Sequence, residues 1–416
     1  MAEHSGSRFP PVRSPPPEAM PSRREIAFRA AAVLLGVALP LGIAEGTAAW
    51  LIHRDNRRYK AELPEAVEAS VNFNDRHIPT RPDPYLSYRI QPDLAGERVQ
   101  TNEYGLREGP IDRHPAPDTI RILFLGASVA WGYHSRSNAD TIPAYLEAEL
   151  TRRADQVPAL RGKRFEVLNA GVPGYVSWQE ALSYALYLRE LAPAWIISLD
   201  GANDVAAAII NGQAGVPSTY RASQRAYLAI EPNPLQALGS WLLAHARKLK
   251  TVKAFERLHP KPLSAYGPPA PAEVAAQLRE ATAYLIHAAT REDARVLAVL
   301  QPMVILPDTK PLTEFEQRIV VEQDHRMPGR NAYFAESYAA MRGALDALAS
   351  EWSEFRWLDA TGAFSGMAEV AYTDDCHLTP DGQRRLAESI ADSWIEALQP
   401  RAQQSLGIAA PTARRR

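Results

Sequence analysis

The sequence predicts an α/β fold, a parallel sheet with helices packed on both faces. From Thr119 onward, short apolar runs alternate with stretches of helical spacing, which is typical of strands joined by helical crossovers. The apolar runs are continuous rather than alternating, as in strands that are buried on both faces. The five predicted strands are Ile120–Leu125, Phe165–Asn169, Trp195–Leu199, Val296–Leu300 and Phe355–Asp359.

Helical periodicity fills the intervals between these strands. In the third predicted helix, Val274, Leu278 and Leu285 recur at the spacing of one helix face. The last predicted helix has a strong start signal, because Thr379 can cap its amino end and Pro380 suits the first helical position. The predicted helices are Ile142–Leu150, Gln179–Leu191, Ala272–Ala289 and Pro380–Leu398.

Two long intervals do not fit this alternation of strands and helices. Residues 205–269 are too long for a simple connection and are predicted to form a helical insertion, with a helix pattern over Pro234–Leu258. Cations such as Lys250 and Arg257 are mixed with the apolar residues of that helix. This pattern indicates either the solvated face of a covering helix or a lid that touches an anionic membrane surface or an acidic polymer. The second interval, Gln301–Arg330, follows a strand end and is predicted to be a loop that overhangs the sheet edge.

An apolar segment near the N-terminus is long enough to cross a membrane. Residues 1–29 are interpreted as a disordered basic tail, and Ala30–Ile52 would rise roughly 34 Å as a helix against a bilayer core of ~30 Å. Glu45 is unfavourable inside a membrane, and Pro40 predicts a kink. The segment is interpreted as a transmembrane signal anchor. The alternatives are a cleaved signal peptide ending near Ala49 and an amphipathic or buried helix.

The remaining boundaries follow from composition. Arginines flank the apolar segment on both sides, so the positive-inside rule nearly cancels, and a catalytic domain on the extracytoplasmic (periplasmic) side is the favoured expectation. Residues 53–116 carry scattered prolines and little periodicity, which predicts a linker and an N-terminal extension draped over the next domain. The main domain is predicted over 117–400, followed by a disordered tail over 401–416.

Composition also limits the classes of function. The chain has 416 residues, of which 46% are hydrophobic and 23% charged, so it can form a substantial core. Its net charge of −2 provides no basic field for a nucleic-acid partner. Cys376 is the only cysteine, which excludes an intrachain disulfide and a cysteine-based zinc site, and the histidines lack metal-ligand spacing. Neither a metal nor a cofactor is predicted.

A serine follows the first strand of the main domain, at the point where the chain turns into a helix. Gly126 allows the sharp turn, and Ser128 stands at the carboxyl end of the strand, where ligands bind in open α/β sheets. Backbone N–H groups at the start of the next helix are available there for a developing negative charge. Because Gly-x-Ser turns also occur by chance, this motif gains weight only from its partners downstream.

Three further polar motifs belong to the same edge of the predicted sheet. Asn169–Gly174 follows the second strand, Gly201–Asp204 follows the third, and Asp374–Thr379 precedes the last helix. Since the carboxyl ends of parallel strands meet at one edge, these motifs are expected to converge on Ser128. Taken singly, they have ordinary explanations as turn formers, helix caps and a surface histidine beside an N-cap.

The residue types suit nucleophilic acyl transfer. A serine hydroxyl needs a base to remove its proton, and His377 is the candidate base. Asp374, three residues earlier, can hold the imidazole in one tautomer, whereas Asp375 is expected to point away. A tetrahedral oxyanion needs hydrogen-bond donors. The candidate donors are the N–H groups of Ser128 and Gly171 and the side-chain amide of Asn203.

Together these motifs resemble the four blocks of the SGNH/GDSL hydrolase family. The blocks are Gly126–Ser128, Asn169–Gly171, Gly201–Asp204 and Asp374–His377. The resemblance implies a three-layer α/β/α sandwich with a five-stranded parallel sheet in flavodoxin-like order. It also implies hydrolysis of small-molecule or polysaccharide esters through an acyl-enzyme on Ser128. Ala127 stands where the family commonly has aspartate, which predicts altered local hydrogen bonding rather than lost activity. The N-terminal helix and the insertion resemble membrane-anchored bacterial members.

Other functions were compared with this one. An α/β-hydrolase is excluded because the serine follows the first strand and Asp374 lies only three residues before His377. Dinucleotide binding is excluded because the first turn lacks Gly-x-Gly-x-x-Gly. An O-acetyltransferase acting on a cell-surface polysaccharide would use the same residues with a sugar hydroxyl in place of water. A non-catalytic anchored binding module that keeps the fold is the remaining alternative.

Overall fold

The structure, a computed structural model, describes residues 22–71, 78–221, 239, 245–246, 248–307 and 309–398. Its strands are β1 Thr80–Asp83, β2 Ser87–Ile90, β3 Thr119–Gly126, β4 Arg164–Asn169, β5 Trp195–Asp200, β6 Arg295–Leu300 and β7 Arg356–Asp359. Its α-helices within those residues are α1 Arg23–Ala61, α2 Glu65–Val71, α3 Ser128–Trp131, α4 Ile142–Arg153, α5 Ser177–Ser183, α6 Ala202–Asn211, α7 Lys250–Leu258, α8 Pro271–Thr290, α9 Glu314–Arg326, α10 Arg330–Glu351 and α11 Pro380–Ala397.

The five apolar runs form one parallel sheet with the strand order β4-β3-β5-β6-β7. This is the flavodoxin-like order, in which the first strand of the sheet lies between the second and the third. Ile122, Leu123 and Phe124 are all fully buried, although their side chains point alternately to the two faces. The sheet is therefore covered on both sides, which explains why its strands read as continuous apolar runs. The predicted five-stranded parallel α/β fold is confirmed.

Helices form the two outer layers. α4 and α11 pack against each other, and α5, α8 and α10 form a second group that includes contacts with β6. Trp394 of α11 is fully buried and meets the rings of Phe165 and Trp195 edge-on, which ties this helix to two strands. Thr379 Oγ1 accepts a hydrogen bond from the Gly382 N–H at 3.2 Å, so the predicted cap of the last helix is confirmed.

Two helical predictions differ from the structure. The predicted helix Gln179–Leu191 is α-helical only through α5 and then widens into a π-helical turn at Tyr184–Leu188. The interval Gln301–Arg330, predicted as a loop, contains α9. That helix starts at a capping box between Thr313 and Glu316, a local signal that its charged composition obscured in the search for apolar periodicity.

The region 53–116 holds more structure than a linker. Residues 53–61 continue α1, α2 follows, and β1 and β2 form a two-stranded antiparallel hairpin. Further along, the Arg107 N–H donates to the Asn169 carbonyl at 3.0 Å, and Glu108 Oε1 accepts from the Asn169 N–H at 3.2 Å. The extension therefore covers the open edge of β4, as an edge strand needs.

The N-terminal helix is longer than the predicted span Ala30–Ile52. α1 runs for 39 residues and passes through Pro40 without a break. By length and composition it is the one helix of the described residues that could cross a membrane. Residues 23–29 of the predicted disordered tail 1–29 belong instead to α1, which starts at a capping box between Ser22 and Glu25. Residues 1–21 of that tail and the predicted tail 401–416 lie outside the described residues, as does most of the predicted helix Pro234–Leu258 before α7.

Candidate active site

The turn after β3 places Ser128 at the carboxyl edge of the sheet. Gly126 has φ +151°, and a Cβ there would lie 2.5 Å from the Cβ of Ala130 and 3.2 Å from the carbonyl oxygen of Leu199. Only glycine fits a turn this tight against β5. Ser128 is the first residue of α3 and is half-buried, so its hydroxyl can be reached from the cleft.

His377 bridges Ser128 and Asp374. Its Nε2 lies 2.8 Å from Ser128 Oγ, and its Nδ1 lies 2.7 Å from Asp374 Oδ2. The two contacts use both ring nitrogens, so the Nδ1 proton faces the carboxylate and Nε2 is available to accept the hydroxyl proton. Three side chains that are 249 and 3 positions apart in sequence form one line of hydrogen bonds.

Asp374 is held by the turn it belongs to. Its Oδ1 accepts hydrogen bonds from the N–H groups of Cys376 at 3.0 Å and His377 at 2.8 Å. The turn is closed by the Thr373 N–H, which donates to the His377 carbonyl at 2.8 Å. Burial opposes ionisation of Asp374, but His377 and these hydrogen bonds outweigh it, so the pKa of Asp374 lies well below its usual value.

Two aromatic residues next to the site were missed in the sequence. The ring of Tyr133 lies 4.6 Å from that of His377, and the ring of His134 lies 5.6 Å from it. His134 Nδ1 is 3.1 Å from Thr373 Oγ1, and His134 has φ +70°, which is unusual for a histidine. Their position directly after the Ser128 turn is the signal that could have identified them.

Asp375 points away from the imidazole, as expected, and makes an ion pair. Its Oδ2 lies 2.5 Å from Arg330 Nη2, and both side chains are largely buried. The guanidinium of Arg330 also stacks on the ring of Phe334 at 4.4 Å. The Asp375 carbonyl accepts from the Val304 N–H at 3.1 Å. The loop after β6 and the start of α10 thus hold the middle of the Asp374–His377 turn.

Gly171, one of the predicted oxyanion donors, packs against the end of α3. A Cβ at Gly171 would lie 2.3 Å from the Trp131 nitrogen, so this glycine serves the close packing of its loop on α3. Its N–H already donates to Asn169 Oδ1 at 3.1 Å. In this arrangement the Gly171 N–H is engaged within its own loop, and an oxyanion would have to displace Asn169 to use it.

Asn203 lies at the start of α6 beside the same loop. Its Nδ2 donates to the Tyr175 carbonyl at 3.0 Å, one residue after Gly174. Asp204 of the same helix also contacts the start of α5. Its carboxylate accepts hydrogen bonds from the N–H and hydroxyl of Ser177 at 3.1 and 2.6 Å. The structure therefore joins the third motif to Tyr175 and Ser177, which lie one and three residues after the end of the second motif.

The N-terminal extension supports the nucleophile turn from behind. Arg107 is fully buried, and its Nη1 donates to the carbonyls of Trp131 at 2.8 Å and Gly132 at 2.9 Å, the last turn of α3. Tyr88 of β2 donates from its hydroxyl to the Pro173 carbonyl at 2.7 Å. No local sequence pattern marks Arg107, because its partners lie far along the chain.

Among the described residues, the one group of three potential metal donors is Asp374, Cys376 and His377, whose donor atoms lie within 4.8 Å of one another. The His377 Nδ1 of this group already faces the Asp374 carboxylate at 2.7 Å. Burial raises the pKa of the Cys376 thiol, which keeps it protonated and a poor metal donor at neutral pH. The group is therefore better suited to proton transfer than to metal binding.

Solved structures with a related arrangement share little sequence with this chain. TesA has 16% identity over 67% of this chain and 99% of its own, with a TM-score of 0.38. The acetyl xylan esterase AlAXEase has 12% identity over 66% and 98%, with a TM-score of 0.36. A catalytic variant of Axe2, an acetylxylan esterase from Geobacillus stearothermophilus, has 12% identity over 66% and 93%, with a TM-score of 0.34. No curated protein matches the sequence.

A family model does match. The model of the GDSL-like lipase/acylhydrolase family covers residues 124–385, from the middle of β3 into α11. This range contains all four polar motifs and the turn that carries Ser128. The chain therefore belongs to the GDSL-like lipase/acylhydrolase family and is a hydrolase that acts on ester bonds.

Proposed function

We propose that the protein cleaves carboxylic esters through an acyl-enzyme on Ser128. Ser128 Oγ attacks the carbonyl carbon while His377 Nε2 takes the hydroxyl proton. The C–O bond to the alcohol then breaks, and His377 returns the proton to the leaving oxygen. Water repeats the sequence on the acyl-enzyme, with His377 again as base, and releases the carboxylic acid and free Ser128.

The single observation that carries this proposal is the line of contacts from Ser128 Oγ to His377 Nε2 and from His377 Nδ1 to Asp374 Oδ2, at 2.8 and 2.7 Å. Both lie within the range needed for proton transfer between heavy atoms. The lowered pKa of Asp374 keeps this carboxyl ionised, so that it stabilises the imidazolium formed when Ser128 loses its proton.

We assign stabilisation of the oxyanion to the Ser128 N–H and the Asn203 amide, with Gly171 as the third donor predicted from sequence. Asn203 Nδ2 donates to the Tyr175 carbonyl, and the side chain would have to turn toward the substrate to donate to an oxyanion. Removal of one such donor typically costs about 10²–10³ in kcat, so Asn203→Ala measures its share.

Turnover of p-nitrophenyl acetate tests the proposed nucleophile. Ser128→Ala is expected to lower kcat at least about 10³-fold, because the covalent route is lost. Ser137→Ala is the matched control, a serine of the following loop whose hydroxyl contacts Asp140 at 3.1 Å. Equal turnover by wild type and Ser128→Ala would contradict the proposal and favour a binding module. Acetyl transfer to an added glycan in place of acetate release would identify a transferase.

We also propose that α1 anchors the protein in a membrane, with the catalytic domain on the extracytoplasmic side. The apolar side chains of α1 are exposed on all sides, and Leu35, Val37 and Leu39 are 57–67% accessible. A helix that is apolar all round needs an apolar surrounding, and lipid can supply it. Retention in the membrane pellet after alkaline extraction is expected. Release into the supernatant, or loss of an N-terminal tag, would contradict the anchor.

A further inference from the structure

We propose that α7 is an interfacial helix that lies on the surface of the membrane crossed by α1. Its apolar face would meet the acyl chains, and its lysines and arginine would meet anionic lipid headgroups. The inference rests on the proposed anchor and adds a second, lipid-binding element from a distant part of the chain. It joins an unexplained acid in the apolar helix to an unexplained basic helix in the insertion.

Glu45 places a carboxylate in the apolar helix α1, which would be unfavourable in the middle of a membrane. Its Oε1 accepts from the Lys250 N–H at 2.5 Å, and its Oε2 accepts from the N–H and hydroxyl of Thr251 at 2.9 and 3.0 Å. The carboxylate thus caps the amino end of α7, where the helix dipole favours a negative charge. Glu45 therefore connects the apolar helix to the start of α7.

The contact between Glu45 and the amino end of α7 belongs at the level of the lipid headgroups. A helix end with polar N–H groups and a carboxylate belongs where water can reach it, and not in hydrocarbon. If Glu45 marks that level, the segment Ile26–Ala44 remains to cross the bilayer and rises about 28 Å, close to the ~30 Å of the hydrocarbon core. Arg29 lies in the first turn of this segment, and a long cationic side chain near the end of a membrane helix can extend to the headgroups. The predicted span Ala30–Ile52 would instead put Glu45 inside the membrane.

α7 is amphipathic, with large apolar side chains on one side and cations on the other. Phe255 is 61% exposed and Leu258 is 77% exposed, and both lie on one side of the helix. Lys250, Lys253 and Arg257 lie on the opposite side at 100° per residue. Large apolar side chains opposite a row of cations are typical of helices that lie in a membrane surface, where lysines also attract anionic lipids.

α1 connects α7 to the catalytic domain. α7 packs on α1, and the far end of α1 is tied to α9 by an ion pair of 2.7 Å between Glu62 and Arg318. Arg58 and Tyr59 of α1 line one cavity together with Phe315 and Ile319 of α9, so the end of α1 lies against the catalytic domain. Since Tyr59 is about 21 Å along α1 from Glu45, this contact holds the catalytic domain close to the bilayer.

Spin labels on the full-length protein test the proposal. Single cysteines replace Phe255, Leu258 or Lys253 in a Cys376→Ser background, and the protein is reconstituted in vesicles of phosphatidylcholine and phosphatidylglycerol in equal parts. Labels at 255 and 258 are expected to collide more with oxygen, which concentrates in lipid, than with a water-soluble nickel complex. The label at 253, on the cationic face, should show the reverse. A Val37→Cys label within α1 reports the anchor itself.

The lipid charge supplies the second readout. Lys250→Gln with Lys253→Gln should reduce the immersion of the 258 label in phosphatidylglycerol vesicles, and pure phosphatidylcholine should do the same to the unchanged helix. Arg161→Gln with Lys163→Gln, two exposed cations on the loop before β4, is the matched control and should change nothing.

Three results would overturn the proposal or part of it, and they are distinguishable. If the 255 and 258 labels are as accessible to nickel as the 253 label while the 37 label is in lipid, α7 lies in water and the anchor stands. If the 37 label is also in water, the anchor fails together with the interfacial helix. If the lipid exposure of the 258 label changes neither with lipid charge nor with the lysine substitutions, the proposed contact with anionic headgroups is wrong.

Discussion

At the scale of single residues, the site depends on how one imidazole is held. His377 receives its orientation from Asp374, and Asp374 receives its own from two N–H groups of the same turn. The residue types and the three-residue spacing were sufficient to predict this pair. The ion-pair partner of Asp375, Arg330, was not predictable, because it comes from a distant segment that only the fold brings close.

Asp374→Asn tests the orienting role. The amide can present its NH₂ group to His377 Nδ1, which favours the tautomer whose Nε2 carries the proton and cannot accept one from Ser128. We expect kcat on p-nitrophenyl acetate to fall about 10³–10⁴-fold with little change in KM. A loss smaller than about tenfold in a folded variant would show that Asp374 does not orient the base.

The ion pair of Arg330 and Asp375 predicts opposite shifts of the pH profile. Hydrolysis needs a neutral His377, so kcat/KM falls on the acid side as the imidazole gains a proton. Arg330→Gln leaves the carboxylate of Asp375, two residues before His377, without its counter-charge, which favours the protonated ring and should move the acid limb upward by on the order of 0.5–1 pH unit. Asp375→Asn leaves the guanidinium unpaired and should move the limb downward.

The double variant of Arg330 and Asp375 is the control for this pair. It removes both charges, so its acid limb should return close to that of wild type. The other polar groups near the ring stay unchanged in all three variants. They are Asp374, Cys376, Tyr133 and His134. Equal shifts of the same sign in both single variants would indicate a loosened turn instead of an electrostatic effect.

At the scale of elements, the N-terminal extension completes the turn that carries Ser128. α3 has only four residues, so its last carbonyls need partners from outside the helix. Arg107 supplies them, and it also bonds the Ser137 carbonyl at 3.2 Å. The buried strands and the capped last helix were predictable from local patterns. This support was not, since a lone arginine in a proline-rich segment carries no periodicity.

Arg107→Met keeps the length of the side chain and removes its hydrogen bonds. The buried carbonyls of Trp131 and Gly132 each lose a hydrogen bond from a charged donor and keep only those from Asn169 Nδ2 and the Ser135 N–H, so we expect a loss of stability on the order of 3 kcal/mol. The thermal midpoint and kcat should both fall, because the Ser128 turn loosens. Arg161→Met, on an exposed loop, is the control. An unchanged midpoint and unchanged kcat would contradict the assigned support.

At the scale of the whole molecule, the sheet order and the layers follow from patterns that extend over many residues. Five apolar runs, alternating with helices, were enough to predict the parallel sheet and the edge at which the motifs meet. The length of α1 and the presence of α9 were not predicted, because charged residues masked their helical spacing. The ordered parts of the extension escaped prediction because their stabilising contacts are made with β4 and the loops at the sheet edge.

Buried acids predict how stability depends on pH. Burial raises the pKa of Glu108 to about 7 from its ordinary 4.5, and the nearby Glu147 adds to the effect. The folded protein thus binds a proton that the unfolded chain has lost, so this contribution is full below about pH 4.5 and disappears as the pH rises through about 7. Asp374 acts in the opposite sense, but only at pH below the ordinary aspartate range.

Thermal midpoints from pH 5 to pH 8 check this prediction. The wild-type midpoint should fall across that interval, and Glu108→Gln should reduce the fall because the amide does not titrate. Glu103→Gln replaces an exposed carboxylate nearby and should leave the slope as it is. A midpoint that rises toward pH 8, or a slope that Glu108→Gln does not alter, would contradict the protonated state assigned to Glu108.

The central claim is that Ser128 becomes covalently acylated because His377 and Asp374 activate its hydroxyl. Intact-mass and peptide analysis after treatment with a fluorophosphonate measures this most directly. We expect one adduct per chain on Ser128, no adduct in Ser128→Ala, and much slower labelling in Asp374→Asn. An adduct on another residue, or undiminished labelling of Ser128→Ala, would contradict it.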